Sequence, residues 1–93
     1  MGQIPNEAIG IASHTEGAGT KAQGDYSHAE GLGISFWNIS GVPENALVIA
    51  EGEGSHAEGY GTQAQGKYSH TEGSSKIIEN QDAGGYDCIT TIA

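Results

Sequence analysis

Small and polar residues alternate along most of this chain, and the large apolar ones gather in its middle and at its ends. The motif Ser-His-Ala/Thr-Glu-Gly begins at Ser13, Ser27, Ser55 and Ser69, in steps of 14, 28 and 14. Within each copy the positions two and four before the glycine are small, and His and Glu occupy the positions between. A period of two predicts strand, because successive strand side chains point to opposite faces. The connecting segments Ala18–Tyr26 and Tyr60–Tyr68 match almost position for position. The repeat is therefore fourteen residues, divisible into halves of seven.

The seven-residue beat runs through Gly10, Gly17, Gly24, Gly31, Asn38, Asn45, Gly52, Gly59, Gly66, Gly73 and Asn80. Gly and Asn are the residues that tolerate positive φ most readily, so each rung predicts a left-handed turn residue after a short strand. Two half-repeats make one coil with two strands, and parallel pairing stacks coils about 4.7–4.9 Å apart. Five coils would span residues 10–80. A helix fails because glycine at every seventh position costs about 1 kcal/mol each relative to alanine, with no apolar stripe to offset it. Collagen needs glycine at every third position, and the calcium-binding nonapeptide pattern is absent.

The inner-face positions are small in both halves of the coil: Ser13, Thr15, Thr20, Ala22, Ser27, Ala29, Ser55, Ala57, Thr62, Ala64, Ser69 and Thr71. They predict a narrow interior. The outer face differs between halves. One half carries His14 and Glu16, His28 and Glu30, His56 and Glu58, and His70 and Glu72, with Glu44 on the same step of fourteen. The other carries Lys21 and Gln23, or Gln63 and Gln65. The simplest arrangement turns the His/Glu face toward other subunits, as a trimer-axis ladder, and the Gln/Lys face toward water. Acid, which protonates Glu and charges His, should then loosen the assembly.

Composition alone would suggest disorder: Leu, Ile, Val and Phe make up roughly 16% of the chain and the formal charge is −9. The periodic placement of the 16 glycines overrides that reading. With 93 residues the chain is one domain (1–93) with a small core, for which oligomerisation is a common remedy. Three Lys and Arg cannot neutralise a phosphate track, so nucleic acid is excluded as a partner. The same balance argues against an anionic membrane surface. No apolar run approaches a spanning length, so no membrane insertion is expected. The chain is therefore soluble, or a fragment whose targeting signal lies elsewhere. Cys88, the lone cysteine, can form no internal disulfide. It reads as a small buried residue or an incidental thiol, with an interchain link as the alternative.

Residues 34–51 lose the motif while conserving two full periods between Ser27 and Ser55. They read as degenerate coils held in register, or as an excursion that rejoins the roll. Ile34 and Phe36 are large for a narrow interior. Phe36, Trp37, Leu47, Val48 and Ile49 form the expected contact patch or trimer plug. Residues 1–9 and 81–93, with Ile4, Ile9, Ile11, Ile89 and Ile92, read as caps or connections, and Asp82–Gly85 as a turn before a last strand.

The pattern Ser-His-Ala-Glu-Gly-x-Gly-Thr-x-Ala-x-Gly-x-Tyr resembles the head repeat of trimeric autotransporter adhesins, the YadA-like heads, across residues 10–33 and 52–75. Those repeats carry Val and Ile where this chain has His and Glu, and the His/Glu form is associated with phage tail fibres and neck appendages. The resemblance implies an all-β fold, a left-handed parallel β-roll assembled as a homotrimer around a threefold axis. It implies a structural fibre or head segment on a virion or bacterial surface, with a host receptor or glycan as partner. A bacterial adhesin head and a self-assembling extracellular filament subunit are the alternatives. His and Glu in place of an apolar seam must be hydrogen-bonded if buried, which points to rings of three His and three Glu.

No nucleophile sits beside a base in a recognisable frame, and every His belongs to the repeat, so neither catalysis nor a cofactor is expected. His and Glu two apart on a strand do point the same way, as metal ligands would. Their recurrence in each motif copy favours structural hydrogen bonding over one tuned metal site.

Overall fold

A computed structural model describes residues 5–80 and 85–93 of the chain. The described residues are all-β, with twelve short strands. These are β1 (Glu7–Ala8), β2 (His14–Ala18), β3 (Thr20–Ala22), β4 (His28–Leu32), β5 (Ile34–Trp37), β6 (Pro43–Ala46), β7 (Val48–Ala50), β8 (His56–Tyr60), β9 (Gln63–Ala64), β10 (His70–Thr71), β11 (Lys76–Asn80) and β12 (Gly85–Ile89). Among the described residues no helix is long and apolar enough to cross a membrane.

Two four-stranded parallel sheets form the body, ordered β1-β3-β7-β9 and β2-β4-β8-β10. Every motif copy supplies a strand of the second sheet. His14 pairs with His28, and His56 with His70, fourteen residues apart; His28 pairs with His56, twenty-eight apart. Residues 91–93 continue the first sheet beyond β9, where Gln63 N–H donates to the Thr91 carbonyl and Ala93 N–H to that of Gln63. The interior between the sheets is alanine-lined: Ala22, Ala29, Ala50, Ala57 and Ala64 are fully buried with Val48. Thr20, Ser27, Ser55, Thr62 and Thr71 are buried beside them, while Ser13, Thr15 and Ser69, near the ends, are half-buried. The serine of each motif closes the turn before it. Its hydroxyl donates to the glycine carbonyl three residues back, at 2.7 Å for Ser13, 2.5 Å for Ser27, and 2.6 Å for Ser55 and Ser69.

The seven-residue ladder divides into two columns, only one of which adds a positive φ to the close approach of the next coil. Gly17, Gly31, Gly59 and Gly73 have φ between +104° and +125°. In the other column φ is not positive. There the close approach of the next coil is the reason that remains, one shared with Gly17, Gly31 and Gly59: a Cβ at Gly24 would stand 2.3 Å from the Gly52 carbonyl oxygen, and Gly10 and Gly52 face the same collision. Gly66, at the end of this column, has only ordinary contacts around such a Cβ. The prediction of a left-handed residue at Gly10, Gly24, Gly52 and Gly66 is therefore corrected. The left-handed residues of those corners are two positions on: Ala12, Tyr26, Gly54 and Tyr68, with φ of 52–64°.

Residues 34–46 do not continue the stack. β5 and β6 pair antiparallel, Ile34 with Ala46 and Trp37 with Pro43. The chain leaves the second sheet at Gly33 and rejoins the first at Val48, which pairs with Thr20. A second antiparallel hairpin, β11–β12, intervenes between Ser75 and Thr91. Both depart from the same corner of the roll, since Gly33 and Ser75 stand where Gly19 and Gly61 stand in the plain coils. They meet there: Ile34, Phe36 and Ala46 form a second apolar cluster with Ile77 packed against it, and β12 lies beside β5. Ile34 Cδ1 comes so near Gly61 that a Cβ there would be 2.6 Å away. Large side chains that the alanine-lined interior cannot hold thus cover its outside.

This geometry corrects three sequence expectations. Asn38 and Asn45 lack positive φ, and neither they nor Asn80 is a rung of the roll. Asn38 sits in the β5–β6 turn, where its Oδ1 accepts from Ser40 and Val42 N–H. Asn45 lies in β6 and Asn80 in β11. The expected turn at Asp82–Gly84 and the cap at Ile4 fall outside the described residues. Because the excursion is one whole period long, deleting residues 34–47 joins Gly33 to Val48 as Gly61 joins Thr62. The shortened chain is expected to keep parallel β structure with Ser27 fourteen residues from the next motif serine. Loss of the β circular dichroism signal would contradict the observed register.

Candidate functional site: a histidine–glutamate ladder

The outward face of the second sheet carries three rows set by the register. His14, His28, His56 and His70 form the first, Glu16, Glu30 and Glu58 the second, and Ala18, Leu32 and Tyr60 the third. Strand alternation puts Thr15, Ala29, Ala57 and Thr71 on the opposite face, in the interior. The imidazoles stack: ring centroids of His28 and His56 are 4.6 Å apart at 3°, those of His56 and His70 4.7 Å at 6°, and His14 meets His28 edge-on at 4.9 Å.

Each carboxylate reaches the histidine of the following coil. Glu16 Oε1 is 3.4 Å from His28 Nε2, Glu30 Oε1 3.2 Å from His56 Nε2, and Glu58 Oε1 3.1 Å from His70 Nε2. Contacts within a coil are longer, 4.0 Å for His14–Glu16, 3.9 Å for His28–Glu30 and 3.8 Å for His56–Glu58. These pairs lie between coils of one chain. Among the described residues His28 Nε2 is screened from solvent yet makes no hydrogen bond.

The carboxyl groups adjoin one another, and this sets their titration. Glu58, then Glu16, pushes Glu30 above the ordinary carboxylate value, while the His56 ring pulls it down. Glu16 is held below that value by Glu30 and then His28; Glu58 is lowered by Glu30 and then His70. Folding therefore favours the protonated form of the middle group and the ionised form of the outer two. A carboxyl raised by folding contributes stability below its unfolded pKa of about 4.3, and loses that contribution as pH rises through the folded value. Glu16 and Glu58 contribute the reverse, stability present above that range and lost as pH falls through their lowered values. Glu30→Gln, a permanent mimic of the protonated form, is therefore expected to raise the urea midpoint at pH 7. The gain should shrink near pH 4, where wild-type Glu30 also carries its proton; an equal or lower midpoint at pH 7 would contradict the assignment.

The other expected ladder members lie elsewhere. Glu44 belongs to β6, opposite Phe36, and accepts from Asn38 Nδ2 at 3.1 Å, so it is corrected out of the ladder. Its spacing is coincidental, because the excursion is itself one period long. Glu72 follows the two-residue β10, is exposed, and helps to lower Glu58. The expected patch divides as well. Val48 is fully buried in the roll, and Phe36 is buried in the hairpin cluster. Ile49 faces outward between Lys21 and Gln63, and Leu47 is half-buried. Trp37 is 51% exposed beside Ile39 and Val42 at the hairpin tip. Sequence reasoning missed the third row, although Leu32 and Tyr60 stand one residue beyond the motif glycines.

Chemically, the face can bond hydrogen, share protons and chelate. Three triads bring two imidazole nitrogens and a carboxylate oxygen within 4.8 Å of one another: His14, Glu16 and His28; His28, Glu30 and His56; His56, Glu58 and His70. No protein-family model matches the chain, and no curated protein and no solved structure matches it.

Proposed function

We propose that this chain is a structural segment of a trimeric fibre, a phage tail fibre or appendage. Three left-handed parallel β-rolls with fourteen-residue coils meet around a threefold axis through their His/Glu faces. The observation that carries this reading is the asymmetry of the two outward sheet faces. The first sheet presents unrelated residues in a row, Glu7, Lys21, Ile49 and Gln63. The second presents identical residues in register, with Leu32 at 51% and Tyr60 at 38% exposure along one margin. A symmetric oligomer repeats one patch on every subunit. Stacked identical rows let each coil make the same contact with its neighbours. An interior built on alanine buries little apolar area per residue, so covering this face supplies burial that the single roll lacks. The bacterial adhesin head shares this architecture. The filament alternative draws on the edge of the roll at β1 and β2, which end the two sheets among the described residues and to which another coil can add. The exposed hairpin tip at Trp37 is the surface offered to a host receptor or glycan.

The test is the native mass by light scattering on a sizing column at pH 7 and pH 4. Three chains at pH 7 are expected, with dissociation at pH 4 as the ladder's charges change. A monomer at pH 7 overturns the axis, and polymers that grow with concentration favour the filament.

A further inference from the structure

The ladder offers donors of two kinds at the spacing a metal ion needs. A zinc-type ion holds nitrogen and oxygen ligands at about 2.0–2.1 Å, so two tetrahedral ligands lie about 3.4 Å apart. The three closest pairs, Glu16–His28, Glu30–His56 and Glu58–His70, measure 3.4, 3.2 and 3.1 Å. A second imidazole stands 3.8–4.0 Å from each carboxylate. Two further observations point to a ligand. His28 Nε2 is shielded from water and makes no hydrogen bond among the described residues, with Glu16 Oε1 at 3.4 Å and Glu30 Oε2 at 3.9 Å. Moreover, among the described residues these carboxylates ion-pair only with histidine, never with Lys or Arg, in a chain of charge −9.

We propose that the outward face of the second sheet binds divalent transition-metal ions, each held by a glutamate of one coil and the histidine of the next, with the neighbouring imidazole completing the triad. The parallel stacking of His28 and His56 aims both Nε2 atoms toward the Glu row, so an ion first meets one imidazole and one carboxylate. The second imidazole joins by turning about its side-chain bonds, roughly one ångström of movement at the nitrogen to reach ligand distance. Imidazole donors select Zn²⁺, Cu²⁺ or Ni²⁺ over Ca²⁺ and Mg²⁺, which prefer oxygen. Adjacent pairs are one strand spacing apart, about 4.8 Å, at which two dications repel strongly. Occupancy therefore settles at alternate pairs, Glu16–His28 and Glu58–His70, with no more than two ions per chain.

The experiment is calorimetric titration of the intact protein with Zn²⁺ at pH 7, Ca²⁺ serving as the comparison, with native mass recorded on the same samples with and without chelator. Micromolar Zn²⁺ binding at one to two ions per chain is expected, with no measurable Ca²⁺ binding. His56→Ala and, separately, Glu58→Gln should each weaken Zn²⁺ by about tenfold or more, while Glu51→Gln, just beyond β7 of the other sheet, changes nothing. Co²⁺ should give the intense visible bands of a four-coordinate site. Absence of Zn²⁺ binding, or binding that both ladder variants leave unchanged, overturns the proposal. The donors of each pair come from one chain, so a monomer that binds Zn²⁺ refutes only the trimer, and a trimer that does not bind it refutes only the metal site.

Discussion

Gly31→Ala is expected to unfold the roll. The residue sits at φ +125°, a conformation essentially reserved for glycine, and a Cβ there would lie 2.0 Å from the Gly59 carbonyl oxygen. That oxygen belongs to the backbone of the next coil, so no side-chain rotation relieves the clash. The backbone strain costs about 1–3 kcal/mol, and displacing a packed neighbour about 1–3 kcal/mol more. Together these approach the whole stability of a small domain, about 5–15 kcal/mol. Gly41→Ala is the comparison: φ is also positive, +74°, but nothing among the described residues lies within 4 Å of the added methyl. It should cost only about 1 kcal/mol, the ordinary penalty of a left-handed alanine. Urea denaturation of the two variants separates the cases; a Gly31→Ala protein as stable as Gly41→Ala would contradict the stacking distance.

Ala57→Leu is expected to be nearly as damaging. Ala57 is fully buried in β8, and its cluster-mates Ala29, Val48, Ala50 and Ala64 are fully buried too. The two sheets enclose a space filled by methyl groups, with backbone on both sides. Three extra carbons have no cavity to enter, and the sheets separate only by breaking register with the coils above and below. Overpacking of this kind costs about 1–3 kcal/mol and occasionally more, and the narrow roll places it at the upper end. Val48→Ala removes volume instead and should cost about 2 kcal/mol. Melting temperatures of the pair give the comparison; if the leucine variant proves the more stable, the interior is wider than its alanine lining indicates.

The motif's regularity made much of this legible beforehand. Alternation in Ser-His-Ala-Glu-Gly predicted which side chains would be interior, and Ala22, Ala29, Ala57 and Ala64 are buried as that pattern requires. Equal spacing placed His over His and Glu over Glu, since parallel strands repeated at a constant interval can stack only like on like. The limits were equally physical. Glycine recurs at every seventh residue for reasons that sequence cannot separate, positive φ together with a carbonyl collision at Gly31 and the collision alone at Gly24. Tyr26 and Tyr68 hold left-handed conformations that their side chains do not advertise.

The sequence by itself determined the strand alternation, the fourteen-residue interval and the composition of the ladder, because these depend on local geometry repeated without change. Only the tertiary structure decided the fate of residues 34–46. An excursion one period long leaves every later residue in phase, so counting cannot distinguish a coil from a hairpin, and Asn38, Glu44 and Asn45 fell on rungs they do not occupy. What separates the two is whether Ile34 and Phe36 fit between the sheets. An alanine-lined interior excludes them, and they bury instead against Ile77 of a second hairpin, a contact between segments more than thirty residues apart that no local pattern records.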